Sequence, residues 1–293
     1  MKEVIIKNRN NRNINLVCYE VDNPKAIIIL VHGASEHIKR YEELAIFLNK
    51  YQINVYGYDH LGHGINLNKE LNNIYFNDGN AHIDLITDLE DVCLHVYTHN
   101  TSLPLFVFGH SMGSLIVRGL AILTRLNIDG MIICGSMNPN IKTINSGLIL
   151  ASLITKLEGK KRASKLLNKI AFGSLEKRIS YNQDNINKYK LDNCCGLLFS
   201  NKAIIDLLEL TKLVSDKANI CLMSKTKYFF ISGEDDKFSD NTKQVQEVID
   251  YMKTNCFDVQ YKYYANARHE ILMEASKEEV MNDIVNFINN TIE

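Results

Sequence analysis

The sequence predicts an α/β fold in which a mostly parallel, doubly wound sheet carries an inserted helical cap. Short apolar runs rich in Val, Ile and Phe recur along the chain, and such runs are typical of strands buried on both faces. Helical patterns separate most of these runs, and strands that alternate with helices form parallel sheets. The alternation stops near residue 139 and resumes near residue 226. We therefore divide the 293 residues into a first core part (1–138), a cap (139–225) and a second core part (226–293).

The first core part opens with a hairpin and continues with strands and helices in alternation. Val4–Lys7 and Asn15–Val21 flank an Asn- and Arg-rich turn, which predicts an antiparallel hairpin at an edge of the sheet. The other predicted strands are Ala26–Val31, Ile53–Tyr58, Leu105–Phe108 and Gly130–Cys134. The helices between them are predicted around Tyr41–Leu48, Ala81–His99 and Leu115–Leu126. The second helix is expected to bury Ile83, Ile86, Cys93 and Val96 and to expose Asp84, Asp88 and Asp91.

The second core part repeats the alternation. Its strands are predicted at Lys227–Ser232 and Asp258–Tyr264, with a helix near Thr242–Lys253 between them. The last helix opens on the capping box Ser276-Lys277-Glu278-Glu279, in which the serine side chain caps the first turn. Its core face is formed by Val280, Ile284, Phe287 and Ile288.

The cap is predicted to be helical and irregular, without a strand. Its segment Leu148–Ile154 is apolar on every helical face, which is typical of a buried helix. Eight lysines and arginines but only two glutamates follow between residues 156 and 178. We expect the segment to be core or to line an acyl pocket, with Leu150 and Leu153 as candidate substrate-binding residues. Contact with a membrane surface, with the basic side chains at lipid head groups, remains an alternative.

Composition and charge exclude several classes of function. The net charge of −1 and the pI of about 6.8 give no reason to expect nucleic-acid binding. The seven cysteines are scattered and are expected to be reduced thiols. The polar amino-terminal residues do not resemble a signal peptide, and no stretch is long and apolar enough to span a bilayer. A cytoplasmic location, with peripheral membrane contact as the alternative, is the simplest expectation. The oligomeric state is left open.

The candidate nucleophile is Ser111, in the turn Gly109-His110-Ser111-Met112-Gly113. This turn joins a buried strand directly to a helix, which forces a sharp bend that glycines permit. The serine is thereby placed at the carboxyl end of the strand and at the positive end of the following helix. A serine nucleophile needs a base and an acid, and the order Ser, Asp, His is typical of this architecture. Asp235 and Asp236 follow one later strand and His269 follows the next.

Acyl transfer also needs backbone N–H donors for the oxyanion. The Met112 N–H, directly after the nucleophile, is one candidate, and the Ala34 N–H, in the loop after Ala26–Val31, is the other. No metal and no organic cofactor is expected. His95 and His99 lie one helical turn apart, but no carboxylate stands at a spacing that would complete a metal site, so an ordinary helix face is favoured.

Several motifs together resemble the monoacylglycerol lipase/lysophospholipase family. They occur in order along nearly the whole chain: His32-Gly33-Ala34-Ser35-Glu36-His37 with Arg40-Tyr41, Asp59-His60-Leu61-Gly62-His63-Gly64, Gly109-His110-Ser111-Met112-Gly113, Ser232-Gly233-Glu234-Asp235-Asp236 and Ala267-Arg268-His269-Glu270. The resemblance implies the α/β-hydrolase fold, with Ser111 as nucleophile, Asp236 as acid and His269 as base. It also implies Ala34 and Met112 as oxyanion donors. The chain departs from the family at Lys237-Phe238, where Pro-Val is frequent, and at Asn66, where serine is common.

These observations predict a serine carboxylester hydrolase that cleaves a small lipid ester, monoacylglycerol or lysophospholipid, through an acyl-enzyme. Two alternatives remain open because a fold and a triad do not fix the acyl substrate. The first is a peptidase or thioesterase that uses the same triad. The second is a non-catalytic lipid-binding homologue, which would not need all three triad residues.

Overall fold

The computed structural model describes residues 1–174 and 178–293, so Glu176 and Lys177 of the basic cap segment lie outside the described residues. The described chain forms an eight-stranded sheet in the order β1-β2-β4-β3-β5-β6-β7-β8. The strands are β1 Lys2–Lys7, β2 Asn13–Tyr19, β3 Ala26–Val31, β4 Ile53–Tyr58, β5 Leu105–His110, β6 Gly130–Cys134, β7 Lys227–Gly233 and β8 Asp258–Tyr264. β1 and β2 pair antiparallel at one edge, and the strands from β3 to β8 are parallel.

Helices cover both faces of the sheet, which confirms the predicted doubly wound fold. The core helices are α1 Glu42–Asn49, α2 Ala81–Thr98, α3 Met112–Leu123, α9 Lys243–Thr254 and α10 Lys277–Ile292. Successive residues of β3 point to opposite faces, so Ile27 and Ile29 join the cluster that includes α2, α3 and α9. Ile28 and Leu30 join the cluster that includes α1 and α10. All six residues of β3 are buried, as the continuous apolar run predicts.

Between β6 and β7 the chain forms a helical layer. Its helices are α4 Ile141–Glu158, α5 Lys165–Phe172, α6 Gln183–Leu191, α7 Asn201–Ser215 and α8 Lys217–Ile220. α7 packs against α2 and α3 of the core, and α4 lies on α7. The cap is therefore joined to the core through α7, and α4 forms part of its outer surface.

The expected burial of the apolar segment Leu148–Ile154 is wrong. Within α4, Ile144 and Ala151 are buried, whereas Leu150 is 36% exposed and Leu153 is 54% exposed. The reason is geometric, because a helix that rests on one neighbour buries one stripe of side chains, however apolar its other faces are. No described helix is long and apolar enough to cross a membrane.

Two local expectations are also wrong. Asp88 was expected in solvent but is buried, because the β1–β2 hairpin reaches over α2 and supplies Arg12 and Asn8 to its carboxylate. The Asn8 amide donates to Asp88 over 2.8 Å. The serine of the capping box does not cap α10, because Ser276 has φ −80° and ψ 3° rather than the extended conformation that an N-cap needs.

Candidate active site

Ser111 lies between the end of β5 and the first residue of α3, on a strained turn. Its φ of 53° and ψ of −118° are unfavourable for a residue with a side chain. The two flanking glycines make this turn possible. A Cβ on Gly109 would lie 2.4 Å from the Gly113 carbonyl oxygen, and a Cβ on Gly113 would lie 2.1 Å from the Val31 oxygen. The close approach of β3, β5 and α3 therefore requires glycine at both positions.

Three side chains from three loops form a continuous hydrogen-bonded chain at this turn. The His269 Nε2 atom lies 2.8 Å from the Ser111 Oγ atom. The His269 Nδ1 atom lies 2.9 Å from the Asp236 Oδ2 atom. His269 and Asp236 are buried, and the serine is partly open to a cavity. Nucleophile, base and orienting carboxylate are thus within direct hydrogen-bonding reach of one another.

The structure distinguishes the two adjacent aspartates. Asp236 is fully buried and its second oxygen accepts the Phe238 N–H over 2.9 Å, which fixes the carboxylate toward His269. Asp235 is partly exposed and accepts the Tyr181 hydroxyl over 3.1 Å. The Phe238 ring lies 4.5 Å from the His269 ring, centroid to centroid. Phe238, a position at which the chain departs from the family pattern, therefore contacts both triad partners, Asp236 through its backbone N–H and His269 through its ring.

The electrostatic surroundings favour a proton on His269. Burial disfavours the imidazolium, but the charge of Asp236 and the hydrogen bond to it outweigh this penalty. The carboxylates of Glu270 and Glu36 act in the same direction, and the pKa of His269 is raised above its ordinary value of 6.5. This arrangement stabilises the imidazolium that forms when the base takes a proton.

The two predicted oxyanion donors border the cavity beside Ser111. Ala34 and Met112 both line it, as Ser111 does. Among the described residues, neither backbone N–H donates to a protein acceptor. The loop that carries Ala34 is fixed at its two neighbours, since the Gly33 N–H donates to Glu36 over 2.6 Å and the Ser35 N–H to His63 over 3.2 Å. Both N–H groups therefore remain candidate donors for an oxyanion.

The cavity in front of the serine has a volume of about 300 Å³. Its walls come from the core, from the cap helices α4, α5, α6 and α7, and from the cap loop that contains Ile179. The apolar lining residues include Leu115, Met137, Ile144, Ile170, Phe172, Ile179, Leu207 and Leu208. Polar and charged side chains also border the cavity, among them Thr143, Arg178, Thr211, Lys237 and Gln244. The apolar part of this lining suits the acyl chain of an ester.

Leu150 and Leu153 are not among the residues that line this cavity, so the prediction that they do is wrong. α4 contributes Thr143, Ile144 and Gly147 instead, one turn nearer its amino terminus. The cavity is also lined by residues that were not predicted from the sequence, namely Ile170, Phe172, Leu207 and Leu208. The apolar faces of α5 and α7 could have indicated these residues in the sequence. However, an apolar face has the same pattern whether it packs against the core or lines a cavity.

A buried ion-pair network supports the three loops of the site. Arg40 lies between Glu36 and Glu270, with N–O distances of 2.6 Å and 2.8 Å. Asn185 of the cap helix α6 joins it by donating to Glu270 over 2.6 Å. Burial opposes the ionisation of Glu36, but the Arg40 charge and a hydrogen bond from His110 outweigh it and hold the Glu36 pKa well below its usual range. The network ties the loop after β3 to the loop that carries the base.

The same network reaches the nucleophile turn. Glu36 accepts the Tyr41 hydroxyl over 2.8 Å and lies 3.2 Å from His110 Nδ1. The other ring nitrogen of His110 lies 3.2 Å from the His269 carbonyl oxygen. His110, which precedes Ser111, thus connects the nucleophile turn with the base loop by side-chain contacts.

Three further histidines shape the loops and carry no charge at neutral pH. His32, His60 and His63 are buried against one another, and burial lowers the pKa of His60 to about 3 and that of His63 to about 4. The pKa of His32 is likewise lowered well below 6.5 by burial. Neutral rings can accept as well as donate, as His63 does from Ser35.

The sequence is similar to known hydrolases along most of its length. The profile of the family described as "Serine aminopeptidase, S33" matches residues 22–276. A monoglyceride lipase homolog of Monkeypox virus is 27% identical over 284 residues, which cover 92% of this chain and 91% of that protein. Human monoglyceride lipase is 27% identical over 278 residues, which cover 91% of this chain and 82% of the human protein.

Solved structures show the same fold. A carboxyl esterase from Bacillus coagulans, determined in complex with glycerol, superposes with a TM-score of 0.88 at 23% identity, covering 100% of this chain and 99% of that chain. A monoacylglycerol lipase from Paleococcus ferrophilus superposes with a TM-score of 0.75 at 19% identity, covering 95% and 99% of the two chains. At these identities the likeness establishes the α/β-hydrolase fold and leaves the substrate open.

Proposed function

The chain belongs to the serine aminopeptidase S33 family of hydrolases, and we propose that within this family it cleaves monoacylglycerol or lysophospholipid to a free fatty acid. The observation that carries the proposal is the hydrogen-bonded chain Ser111–His269–Asp236 at the base of an apolar cavity. The relatives named monoglyceride lipase support the same class of substrate.

In the acylation step, the Ser111 Oγ atom attacks the ester carbonyl carbon and its proton passes to the His269 Nε2 atom. The tetrahedral oxyanion accepts hydrogen bonds from the Ala34 and Met112 N–H groups, each worth about 3–4 kcal/mol at the transition state. The imidazolium is stabilised by the buried Asp236 carboxylate. It then protonates the leaving alkoxide, which departs as the alcohol and leaves the acyl group on the serine.

In the deacylation step, a water molecule takes the place of the alcohol. His269 removes a proton from this water as it attacks the acyl-enzyme carbonyl, and the same two backbone donors receive the new oxyanion. Collapse of this second intermediate returns the proton to Ser111 and releases the fatty acid.

The cavity supports an acyl substrate more than a peptide. Apolar side chains such as Ile144, Phe172 and Leu208 line it and offer no partners for peptide N–H and C=O groups. Each methylene of an acyl chain buried against them contributes about 0.8 kcal/mol. A peptidase would need polar groups to bind its extended peptide substrate. A thioester differs from an ester only in its leaving group, so the cavity suits the acyl part of both.

Labelling and a substrate panel test the proposal. A fluorophosphonate should label the wild-type chain and should not label the Ser111→Ala variant. Purified protein is then assayed with long-chain monoacylglycerol, lysophospholipid, acyl thioester and aminoacyl amide. We expect kcat/KM to be highest for one of the two lipid esters. Absence of labelling would favour a non-catalytic binding protein, and a preference for the amide would favour a peptidase.

The outer surface of α4 supports a second proposal, namely that the cap contacts a membrane surface. Ile149, Leu153 and Leu157 are 64%, 54% and 86% exposed on this helix, and lysines follow it at positions 160 and 161. Exposed apolar side chains beside basic ones are typical of helices that lie at a lipid interface. We expect Leu153→Asp together with Leu157→Asp to reduce vesicle binding while sparing hydrolysis of a soluble short-chain ester. Equal vesicle binding by this double variant and the wild type would contradict the proposal.

A further inference from the structure

A second cluster of chemically active side chains includes His37, three residues after Ala34. His37 belongs to the segment after β3, and Asp192 and Cys195 belong to the cap segment after α6. One donor atom of each residue, a ring nitrogen, a carboxylate oxygen and the thiol sulfur, lies within 4.8 Å of the other two. His37 Nε2 and Asp192 Oδ2 are 2.8 Å apart. Among the described residues, no other group of three or more such donors is as close together.

The donor set is the one that zinc prefers. Zinc(II) binds imidazole nitrogen, carboxylate oxygen and thiolate sulfur in tetrahedral sites, with bonds of about 2.0–2.3 Å. These bond lengths put ligand atoms about 3.3–3.6 Å apart, so the three donors need to shift by about 1 Å at most. A dication with one thiolate and one carboxylate is neutral overall, which suits a site where Cys195 is buried and the other two side chains are half-buried.

The backbone around the cluster is already fixed. The second oxygen of Asp192 accepts the Cys194 N–H over 2.8 Å, and the Cys195 N–H donates to the Asp192 carbonyl over 3.0 Å. These bonds hold the carboxylate and the thiol on one tight turn, as partners behind metal ligands do. An open cleft of about 640 Å³ borders His37 and Asp192 and gives a metal ion and a water molecule access from solvent.

We propose that His37, Asp192 and Cys195 form a zinc(II) site, with a water molecule from the cleft as the fourth ligand. On binding, the Cys195 thiol loses its proton to solvent and the sulfur forms the bond to zinc. His37 binds through Nε2 with its remaining proton on Nδ1, so the His37–Asp192 hydrogen bond is replaced by two metal–ligand bonds.

The proposed zinc site joins the cap to the loop after β3, which carries Ala34. The same cap segment already holds Ser35, which follows Ala34: the Gly196 N–H and the Tyr189 hydroxyl each donate to the Ser35 carbonyl over 3.0 Å. A zinc ion bound to both Cys195 and His37 would link the same two segments by metal–ligand bonds, which are much stronger than these hydrogen bonds. A bound ion therefore fixes the cap segment against the loop and stabilises the folded chain.

Metal titration of the full chain tests the proposal without any assay of hydrolysis. Protein stripped with a chelator is titrated with zinc(II) and, separately, with cobalt(II), whose bond to a thiolate gives a charge-transfer absorption. We expect one equivalent to bind, the charge-transfer band to appear and the melting temperature to rise. Cys195→Ser should abolish the band and weaken zinc binding by about 100-fold or more. His37→Gln and Asp192→Asn should also weaken it, by at least about 10-fold.

Two cysteine variants serve as matched controls. Cys194→Ser removes the adjacent thiol, and Cys221→Ser removes an exposed thiol outside the cluster, so both should bind zinc like the wild type. The metal-free melting temperature of each variant reports whether it folds, and His37→Gln replaces Cys195→Ser if the latter does not. No saturable binding, unchanged binding by Cys195→Ser and His37→Gln, or loss of the band in either control would overturn the proposal.

Discussion

Gly147 offers a direct test of where the acyl chain lies. It is on the face of α4 that lines the cavity, and a Cβ added there would lie 3.4 Å from the Leu208 side chain, an ordinary contact. Because Leu208 itself lines the cavity, we expect the four carbon atoms added by Gly147→Leu to take up space on the cavity side of α4. The replacement also removes a glycine from a helix interior, which favours the helix by about 0.5–1 kcal/mol. We expect a stable protein with a shorter acyl pocket.

The size of the effect follows from the methylenes displaced. Four new carbon atoms in a cavity of about 300 Å³ exclude about four acyl methylenes, and each buried methylene is worth about 0.8 kcal/mol. The loss of about 3 kcal/mol corresponds to a decrease of about 200-fold in kcat/KM for long-chain monoacyl esters. Acetyl esters have no acyl methylenes to displace, so their kcat/KM should change by less than about 3-fold.

The assay is a comparison of kcat/KM for acetyl, octanoyl and long-chain esters below the concentration at which they aggregate. Ser146→Leu is the matched control, because it places the same side chain on the solvent-exposed face of the same helix, next to Gly147. The control should keep the wild-type chain-length profile. An equal loss on all ester lengths in Gly147→Leu, or a chain-length effect in Ser146→Leu as well, would refute the assignment of this cavity to the acyl chain.

Three further predictions concern the catalytic chain and its support. Ser111→Ala or His269→Ala should lower kcat by about 10⁴–10⁶ in an ester assay while the protein remains folded, and Asp236→Asn should lower kcat by about 10⁴. Asp235→Asn should cost less than about 10-fold, and a larger loss there than at Asp236 would reverse the choice of acid. Because His269 acts as a base only when neutral and its pKa is raised, kcat/KM should fall as the pH decreases through a midpoint above 6.5, and a midpoint below 6 would contradict this. Arg40→Met leaves two buried glutamates without their partner and should lower the free energy of unfolding by about 3–5 kcal/mol in urea denaturation.

The parts of the structure that the sequence predicts are those with a strong local pattern. β3 and β5 are continuous apolar runs, which few environments other than the middle of a parallel sheet accommodate. Ser111 and His269 could be predicted as site residues from their positions after strands as well as from their residue types. The carboxyl ends of parallel strands meet at one edge of the sheet, so residues that follow such strands lie near one another. The order of the strands and the positions of the turn glycines are therefore enough to predict that residues far apart in the sequence lie close together at this edge.

The parts that could not be predicted depend on what lies opposite a side chain. The apolar residues Leu150 and Ile144 lie on one cap helix, and only the position of α7 decides which of them is covered. Asp88 stands at a position that the helical pattern assigns to solvent, and it is buried because Arg12 comes from a hairpin 76 residues earlier. A helical period gives the direction of each side chain but not the neighbour that it meets.

The buried ion pairs explain why the cap and the core form one site. Moving Arg40, Glu36 and Glu270 out of water is costly, and a buried pair is often no more stable than apolar residues of the same size. Their contribution is therefore better sought in geometry than in stability. Glu36 accepts the Gly33 N–H and so helps to fix the loop that carries Ala34. Glu270 is the residue directly after His269, and it accepts a hydrogen bond from Asn185 of the cap. Arg40 thus connects the loop of the predicted oxyanion donors, the loop of the candidate base and the cap. A catalytic site assembled from separate loops needs such a common anchor to hold its reacting groups within hydrogen-bonding distance.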